Sequence, residues 1–412
     1  MNSRERVLQA FNFVQPDRVP VDFGGHRSSG IMAIAYVKLR DYLGLPKRPV
    51  RVYDIPQQLA VLDEDILDRF NVDTIEMGRG FSLKESDWRP WVLPDGTDCF
   101  LPRWIEPVRE NGNWVIYHPD GKTPVGLMKP GMIYFEQTCW PMADKPEEKL
   151  DRVPEMWTYN MWAALASPPG PVSYDELAAG AKRLRERTSR AILGLFGGNF
   201  FEGGQMTFRM DNFYMLLASD PALAHRFLDK MLEMHLKSLE PWLKAVAPYI
   251  DIVLFGDDLG MQTGPQISPR MYREFFKPRH KALWGRAKEL APHLKIMLHS
   301  CGSLTPLMPD LIDAGMDTAN PVQITSKDME PERLKAAFGR QHVFWGGGCD
   351  TQQVLRAGAP AEIRDHVWHN LDIWAPGGGY VFQQVHNIMA DIPPQNIVAM
   401  FDAVAEWNAA HA

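Results

Sequence analysis

The sequence predicts a closed (β/α)8 TIM barrel with a β-hairpin-rich insertion after its second strand. Three observations lead there. Short apolar runs ending in polar or glycine residues alternate with helical patterns along most of the chain, the pattern of a buried parallel sheet. Eight such runs can be counted, enough to close a barrel. The chain has 412 residues, more than the usual prior of about 150 per domain, but one barrel with insertions absorbs that length. An open doubly wound sheet is the fallback, yet no GxGxxG follows an early strand. The whole chain, 1–412, is therefore read as one barrel domain.

The strands are expected at 19–23, 73–77, 191–196, 250–255, 295–299, 316–319, 342–345 and 379–382. Helical spacing of apolar residues places helices near 3–13, 31–44, 60–70, 220–247, 304–314, 330–338, 360–375 and 393–410. A further helix begins at Ser268-Pro269, an N-cap followed by proline in the first turn, and Pro278 predicts a kink or break inside it. Residues of about 83–170 interrupt the pattern. Turn signals at Pro94-Asp95-Gly96, Asn111-Gly112-Asn113 and Pro119-Asp120-Gly121 read as β-hairpins. The stretch reads as a small sheet covering the barrel or, given its wealth of tryptophan, as a substrate lid or docking surface.

Composition narrows the function classes. The hydrophobic fraction of 45% excludes global disorder, and the net charge of −7 argues against a nucleic-acid partner. No apolar run is long enough to span a membrane. The opening MNSRERVLQAF lacks the apolar stretch and cleavage site of a signal peptide, so a cytoplasmic protein is expected. Four cysteines make no disulfide framework. Cys99 and Cys139 read as packing residues, whereas Cys301 and Cys349 fall at strand ends.

Barrel enzymes carry their reactive groups at the carboxyl ends of strands. Polar residues there make His26, Arg27, Asn199, Gln262, Gln323 and Asn387 the candidates for substrate binding. In His299-Ser300-Cys301, residues i and i+2 of an extended chain point to the same side, so an imidazole and a thiolate can converge on one ion. Zinc accepts both donor types, and Cys349 at the end of the seventh strand is the third expected ligand. Three protein ligands leave one coordination position open, as in catalytic zinc sites. A packed thiol pair and a structural metal are the plainer alternatives. His386 reads as a further ligand, a proton donor or a hydrogen-bonded pocket residue. Of Asp257 and Asp258, one is expected to face the mouth as a general acid or base or as a partner of a metal-bound histidine, and the other to cap backbone groups. Glycine clusters at 197–198, 346–348 and 377–379 read as room for a flat ligand or as turn geometry.

The segments RERVLQAFNFVQPDRVPVDFGG, FGDDLGMQTGPQISPRMYREFFKPRHKAL, LHSCGSLTPLMPDLIDAGMDTANPVQ, FWGGGCDTQQVL and GGGYVFQQVHNIMADIPPQNIVAMFDAV resemble the uroporphyrinogen decarboxylase superfamily over nearly the whole chain. That resemblance implies a (β/α)8 barrel and one of two chemistries. The decarboxylase branch handles substrate carboxylates with an RQAGRYMPE-like segment after the first strand, where this chain reads GGHRSSGIM with Arg27 alone. The cobalamin-dependent methyltransferase branch binds zinc through an HxC element, which His299 and Cys301 match, and a later cysteine. Members of the coenzyme M type carry that cysteine after the last strand, where this chain has His386; Cys349 stands as its replacement. The resemblance thus implies a corrinoid-dependent methyltransferase of the O-demethylase kind, using Zn2+ and taking methyl from a small, methoxylated, aromatic donor. The cobalamin would be carried by a separate corrinoid protein, since this chain lacks the DxHxxG signature of a corrinoid-binding domain. A decarboxylase-like lyase acting on a tetrapyrrole or another carboxylic acid is the alternative. Barrels often dimerise, so a homodimer is compatible with this reading.

Overall fold

The computed structural model describes residues 1–77, 84–166, 168, 170 and 172–411. Seven parallel strands form one curled sheet. In chain order they are Thr74–Met77, Ala191–Gly197, Ile252–Gly256, Lys295–His299, Thr318–Asn320, Val343–Trp345 and Tyr380–Val381, each hydrogen-bonded to the next. Gly78, expected at the end of the second strand, lies outside the described residues, as do residue 83 and parts of 167–171 at the expected edges of the insertion.

The expected first strand, 19–23, is reduced to a bridge between Val21 and Phe382. The reason is local. Pro20 has no N–H to give a ladder, and the Val21 N–H donates to the Asp73 carboxylate at 2.9 Å. The segment still closes the barrel. Phe382 N–H donates to the Pro20 carbonyl, Asp22 N–H to the Phe382 carbonyl, and Asp73 N–H to the Val21 carbonyl, each at 2.8 Å. The buried Asp73 also accepts from Arg6 at 2.7 Å and from Arg18 at 2.7 and 2.8 Å. Arginines of the N-terminal segment thus fasten the bottom of the barrel, where such contacts serve stability.

Both faces of the sheet are buried, which explains the continuous apolar runs. Leu193, Ile252, Leu254, Met297, Val343, Trp345 and Val381 point inward and form one core with Val7 and Ala10 of the helix Ser3–Ala10, which plugs the bottom. Ile192, Val253, Phe255, Ile296 and Leu298 point outward into the core shared with the surrounding helices. The filled interior leaves space only above the strand ends, and that position sets the site.

The later helices fall where periodicity places them: Pro221–Val246, Met308–Ala314, Pro331–Phe338, Pro360–Trp374 and Pro394–Ala410. The break expected near Pro278 is a π-helical turn, Tyr272–Phe276, followed by the helix Lys277–Leu290 with Pro278 in its first turn. Among the described residues no helix is long and apolar enough to cross a membrane.

The expected hairpins form. Trp88–Val92 pairs with Asp98–Pro102, Val108–Glu110 with Asn113–Tyr117, and Asn113–Tyr117 with Pro124–Met128. Asn111 and Gly112 both have positive φ, 49° and 83°, as a two-residue hairpin turn requires. The sheet also recruits residues ahead of the second barrel strand: Val50–Asp54 runs parallel to Asp98–Pro102. The insertion is therefore tied to the chain that precedes it, a pairing too distant in sequence for local pattern to reveal. Short helices follow at Val153–Trp157 and Met161–Ala164.

His342, just before the strand Val343–Trp345, is fully buried, and its Nε2 accepts the Ala319 N–H at 3.0 Å. Burial lowers its pKa from 6.5 to about 3. The folded state refuses a proton that the unfolded state accepts, so this contribution is complete above pH 6.5 and is lost as pH falls toward 3. We predict that the melting temperature of His342→Gln, whose amide oxygen can replace Nε2, falls less steeply than wild type between pH 6.5 and pH 4. Parallel slopes would contradict this.

Candidate metal centre and cavity

The strand Lys295–His299 ends on His299, and the alternation expected of an extended chain holds beyond it. Ser300 turns away and accepts the Leu259 N–H at 2.9 Å. Cys301 returns to the side of His299, with Sγ 3.6 Å from Nε2. The loop is pinned by close backbone packing. Gly302 has φ +82°, and a Cβ there would stand 2.4 Å from the Gly260 carbonyl carbon. Cys301 N–H donates to Asp258 at 2.7 Å and Gly302 N–H to Gln323 at 2.8 Å.

His386 completes the group. Donor atoms of His299, Cys301 and His386 all lie within 4.8 Å of one another. The segment after the last strand is stapled on both sides. Cys349 bridges Gln384, Ile31 bridges Ile388, and the Asn387 side chain accepts from Gly30 N–H at 2.8 Å and donates to the Arg27 carbonyl at 2.8 Å. Between these staples His386 takes a left-handed φ of +64°. Its ring centroid lies 5.6 Å from that of His299.

A hydrogen-bond chain fixes the tautomer of His299. Gln383 Nε2 donates to the carbonyls of Ser28 and Gln384, so its Oε1 accepts. Asn320 Nδ2 donates to that oxygen and to the Trp345 carbonyl. Asn320 Oδ1 is therefore the acceptor for His299 Nδ1–H at 2.9 Å. The Nε2 lone pair is left for the Cys301 side. A partner holding the other ring nitrogen is the usual support of a metal-ligating histidine.

The electrostatics suit a cation. Burial, then the nearby charges of His299 and His26, lower the His386 pKa to about 3, so its ring is neutral and keeps a lone pair for a ligand. Burial and the Asp258 and Glu202 carboxylates push the Cys301 thiol well above its usual range. A divalent ion among the three donors would reverse that and hold the thiolate. The donor set, two imidazoles and one thiol, fits zinc.

Cys349 does not join this set. It is fully buried behind the rim, with Sγ directed at the Asp350 carbonyl 3.8 Å away, and burial raises its thiol pKa. The place expected for it is taken by His386. The two aspartates divide as expected. Asp257 accepts from the N–H groups of Phe200, Phe201 and Glu202 at 3.3, 2.9 and 2.7 Å and from His280 at 3.1 Å. It caps the helix Phe201–Phe208 and has no access to the mouth. Asp258 lines the cavity, 3.7 Å from His299 Nε2.

A cavity of about 810 Å³, open mouth included, lies over these groups. Of the expected substrate-binding residues, Arg27 and Asn199 line it. His26 lies beneath, fully buried, with Nε2 3.3 Å from Gln383. Gln323 and Asn387 act one layer back on Gly302 and Arg27. Gln262 is exposed and bonded to Ser326, away from the cavity. The glycine clusters mostly meet protein: a Cβ on Gly346 would strike the Pro321 carbonyl and one on Gly378 the backbone of Val14, while Gly197 lines the cavity.

Several lining residues escape sequence reasoning. Trp157, Asn160 and Trp162 come from the insertion, which therefore builds one wall. Glu202 also lines the cavity; burial, then the charges of Asp258 and Asp257, raise its pKa well above the usual carboxylate range. Its place in the first turn of a helix after a barrel strand was a usable signal.

The uroporphyrinogen decarboxylase (URO-D) family model matches residues 160–407. A uroporphyrinogen decarboxylase of Wolinella succinogenes is 25% identical over 198 residues, 47% of this chain and 52% of that protein. Another, of Pseudoalteromonas atlantica, is 27% identical over 199 residues, 46% of this chain and 50% of that one. The chain thus spans about half the length of these curated relatives. In fold it is similar to a methyltransferase from Methanosarcina mazei, with a TM-score of 0.60 at 17% identity, covering 98% of this chain and 99% of that one.

The roles of the two aspartates give a stability test. Asp257→Asn should destabilise the protein by about 1–3 kcal/mol in denaturant unfolding, because a charged buried cap is lost. Asp258→Asn should cost less. The reverse order would contradict the assignment.

Proposed function

The chain belongs to the uroporphyrinogen decarboxylase family, and from that premise we propose that it is a zinc-dependent methyltransferase. It moves a methyl group from a small methoxylated, aromatic compound to the Co(I) of a corrinoid carried by a partner protein. The observation that carries this reading is the convergence of His299, Cys301 and His386, two of which, His299 and His386, line the cavity. Zinc held there would act as a Lewis acid on the ether oxygen, offsetting the charge that makes an alkoxide or phenolate a poor leaving group.

The protein's own groups would do the rest. Asn320 keeps the His299 ring oriented, and Asp258 fixes the Cys301 backbone. Asn199 donates to Glu202 Oε2 at 2.7 Å, leaving Oε1 to carry the proton that its raised pKa retains. Glu202 is thus suited to protonate the departing oxygen. Trp157 and Trp162 supply flat walls that position an aromatic ring and limit water. Arg27 is the one arginine or lysine among the described residues lining the cavity. A tetrapyrrole with many carboxylates would demand more cations, which weighs against the decarboxylase-like alternative.

The test supplies reduced cobalamin with a panel of methoxyarenes, methylamines and methanol, and follows methyl-Co(III) absorbance. Methoxyarenes should react, and Cys301→Ala should lose more than about 100-fold in rate, a scale that outer-shell changes alone reach at some metal sites. Full activity in Cys301→Ala, or decarboxylation of uroporphyrinogen in place of methyl transfer, would overturn the proposal.

A further inference from the structure

We propose that Tyr272 and His280 are positioning residues of the reaction: with Asp257 they form a buried hydrogen-bonded chain that holds the first turn of the helix Phe201–Phe208, and with it the Glu202 carboxyl, at the cavity. This rests on the reading of Glu202 as proton donor and extends it to two side chains that do not line the cavity.

The chain runs in one direction. Asp257 is fully buried, and a carboxylate only accepts. The 3.1 Å bond between them therefore puts a proton on His280 Nε2. His280 Nδ1 is left to accept the Tyr272 hydroxyl, also at 3.1 Å. Burial, then the charges of Asp257 and Asp310, push the Tyr272 phenol well above its usual range, so it keeps the proton it donates. At the other end Asp257 Oδ1 takes the Glu202 N–H, and Oδ2 takes those of Phe200 and Phe201. Both carboxylate oxygens are committed, and a shift of Asp257 would release the turn that carries Glu202.

The π turn Tyr272–Phe276 makes the chain possible. Eight residues of a straight α-helix turn through about 800°, which would leave Tyr272 and His280 about 80° apart. In the π turn the Lys277 N–H donates to the Tyr272 carbonyl, five residues back, and the wider winding returns the two side chains to one face. The His280 ring is then gripped by Trp284, stacked at 4.5 Å and 7°, and by the edge of Phe200 at 5.4 Å. Packing alone would be met by apolar side chains, which avoid the cost of burying a hydroxyl and an imidazole. What the polar pair adds is a fixed place for Asp257. The far end of the Glu202 helix is held separately, by the insertion: Gln137 donates to the Met206 carbonyl at 2.6 Å and Met142 N–H to the Thr207 carbonyl at 2.9 Å.

The test has two arms. Hydrogen–deuterium exchange of the zinc-loaded full-length protein, without donor or corrinoid, reads the link itself. In Tyr272→Phe, and in His280→Phe, which keeps a ring on Trp284, the amides of residues 200–202 should exchange at least about tenfold faster, while the strand Lys295–His299 is unchanged. Methyl transfer to reduced cobalamin reads the consequence. Tyr272→Phe should lower kcat for methoxybenzene about tenfold and leave KM within about twofold. The loss should shrink with 4-methoxybenzonitrile, whose phenolate departs with less need of a proton, and Glu202→Gln should show the same pattern. Unchanged exchange in both variants would overturn the inference, as would a kcat that is unaltered or that falls equally for the two donors. Faster exchange in the variants, with no methyl transfer from either donor by the wild type, would overturn the functional reading and leave the chain as the support of the Glu202 turn.

Discussion

Closure of the barrel between its last and first segments is the constraint on which the site depends. The residues that join the ends, Pro20–Asp22 against Phe382, lead directly into the two loops that carry Arg27 and His386. Asn387 ties these loops together by bonding Gly30 N–H and the Arg27 carbonyl. His386 can face His299 only because the final strand returns to the first. The same closure explains a division of labour. Asp73 and the arginines of the N-terminal segment satisfy one another at the bottom, whereas among the described residues the top keeps Asn160 Nδ2 without a hydrogen-bond partner.

Those unsatisfied groups are a cost that a stable scaffold must offset. Burial drives the Cys301 thiol and the Glu202 carboxyl toward their neutral forms beside Asp258, while among the described residues Asn160 Nδ2 has no hydrogen-bond partner. A cation at the three-donor centre would favour the Cys301 thiolate and relieve that strain.

The sequence made the barrel legible because strands buried on both faces leave apolar runs, and the helices between them keep a regular period. It did not show that 19–23 would shrink to a single bridge, which follows from Pro20 and from the Asp73 carboxylate capturing Val21 N–H. His299 and Cys301 were readable from two-residue alternation. The third ligand was not. Cys349 and His386 both follow strands on the same side of the barrel, and only the left-handed turn at His386 and the burial of Cys349 separate them. Trp157, Asn160 and Trp162 were hidden because their position depends on how the insertion docks, a long-range matter that no local pattern records.

The coordination of the metal tests the central claim most directly. X-ray absorption at the zinc edge of zinc-loaded protein should show one sulfur ligand at about 2.3 Å, with nitrogen and oxygen ligands at about 2.0–2.1 Å. Two sulfur ligands would restore Cys349 to the set and contradict the assignment of His386; failure to bind zinc at all would contradict the account as a whole.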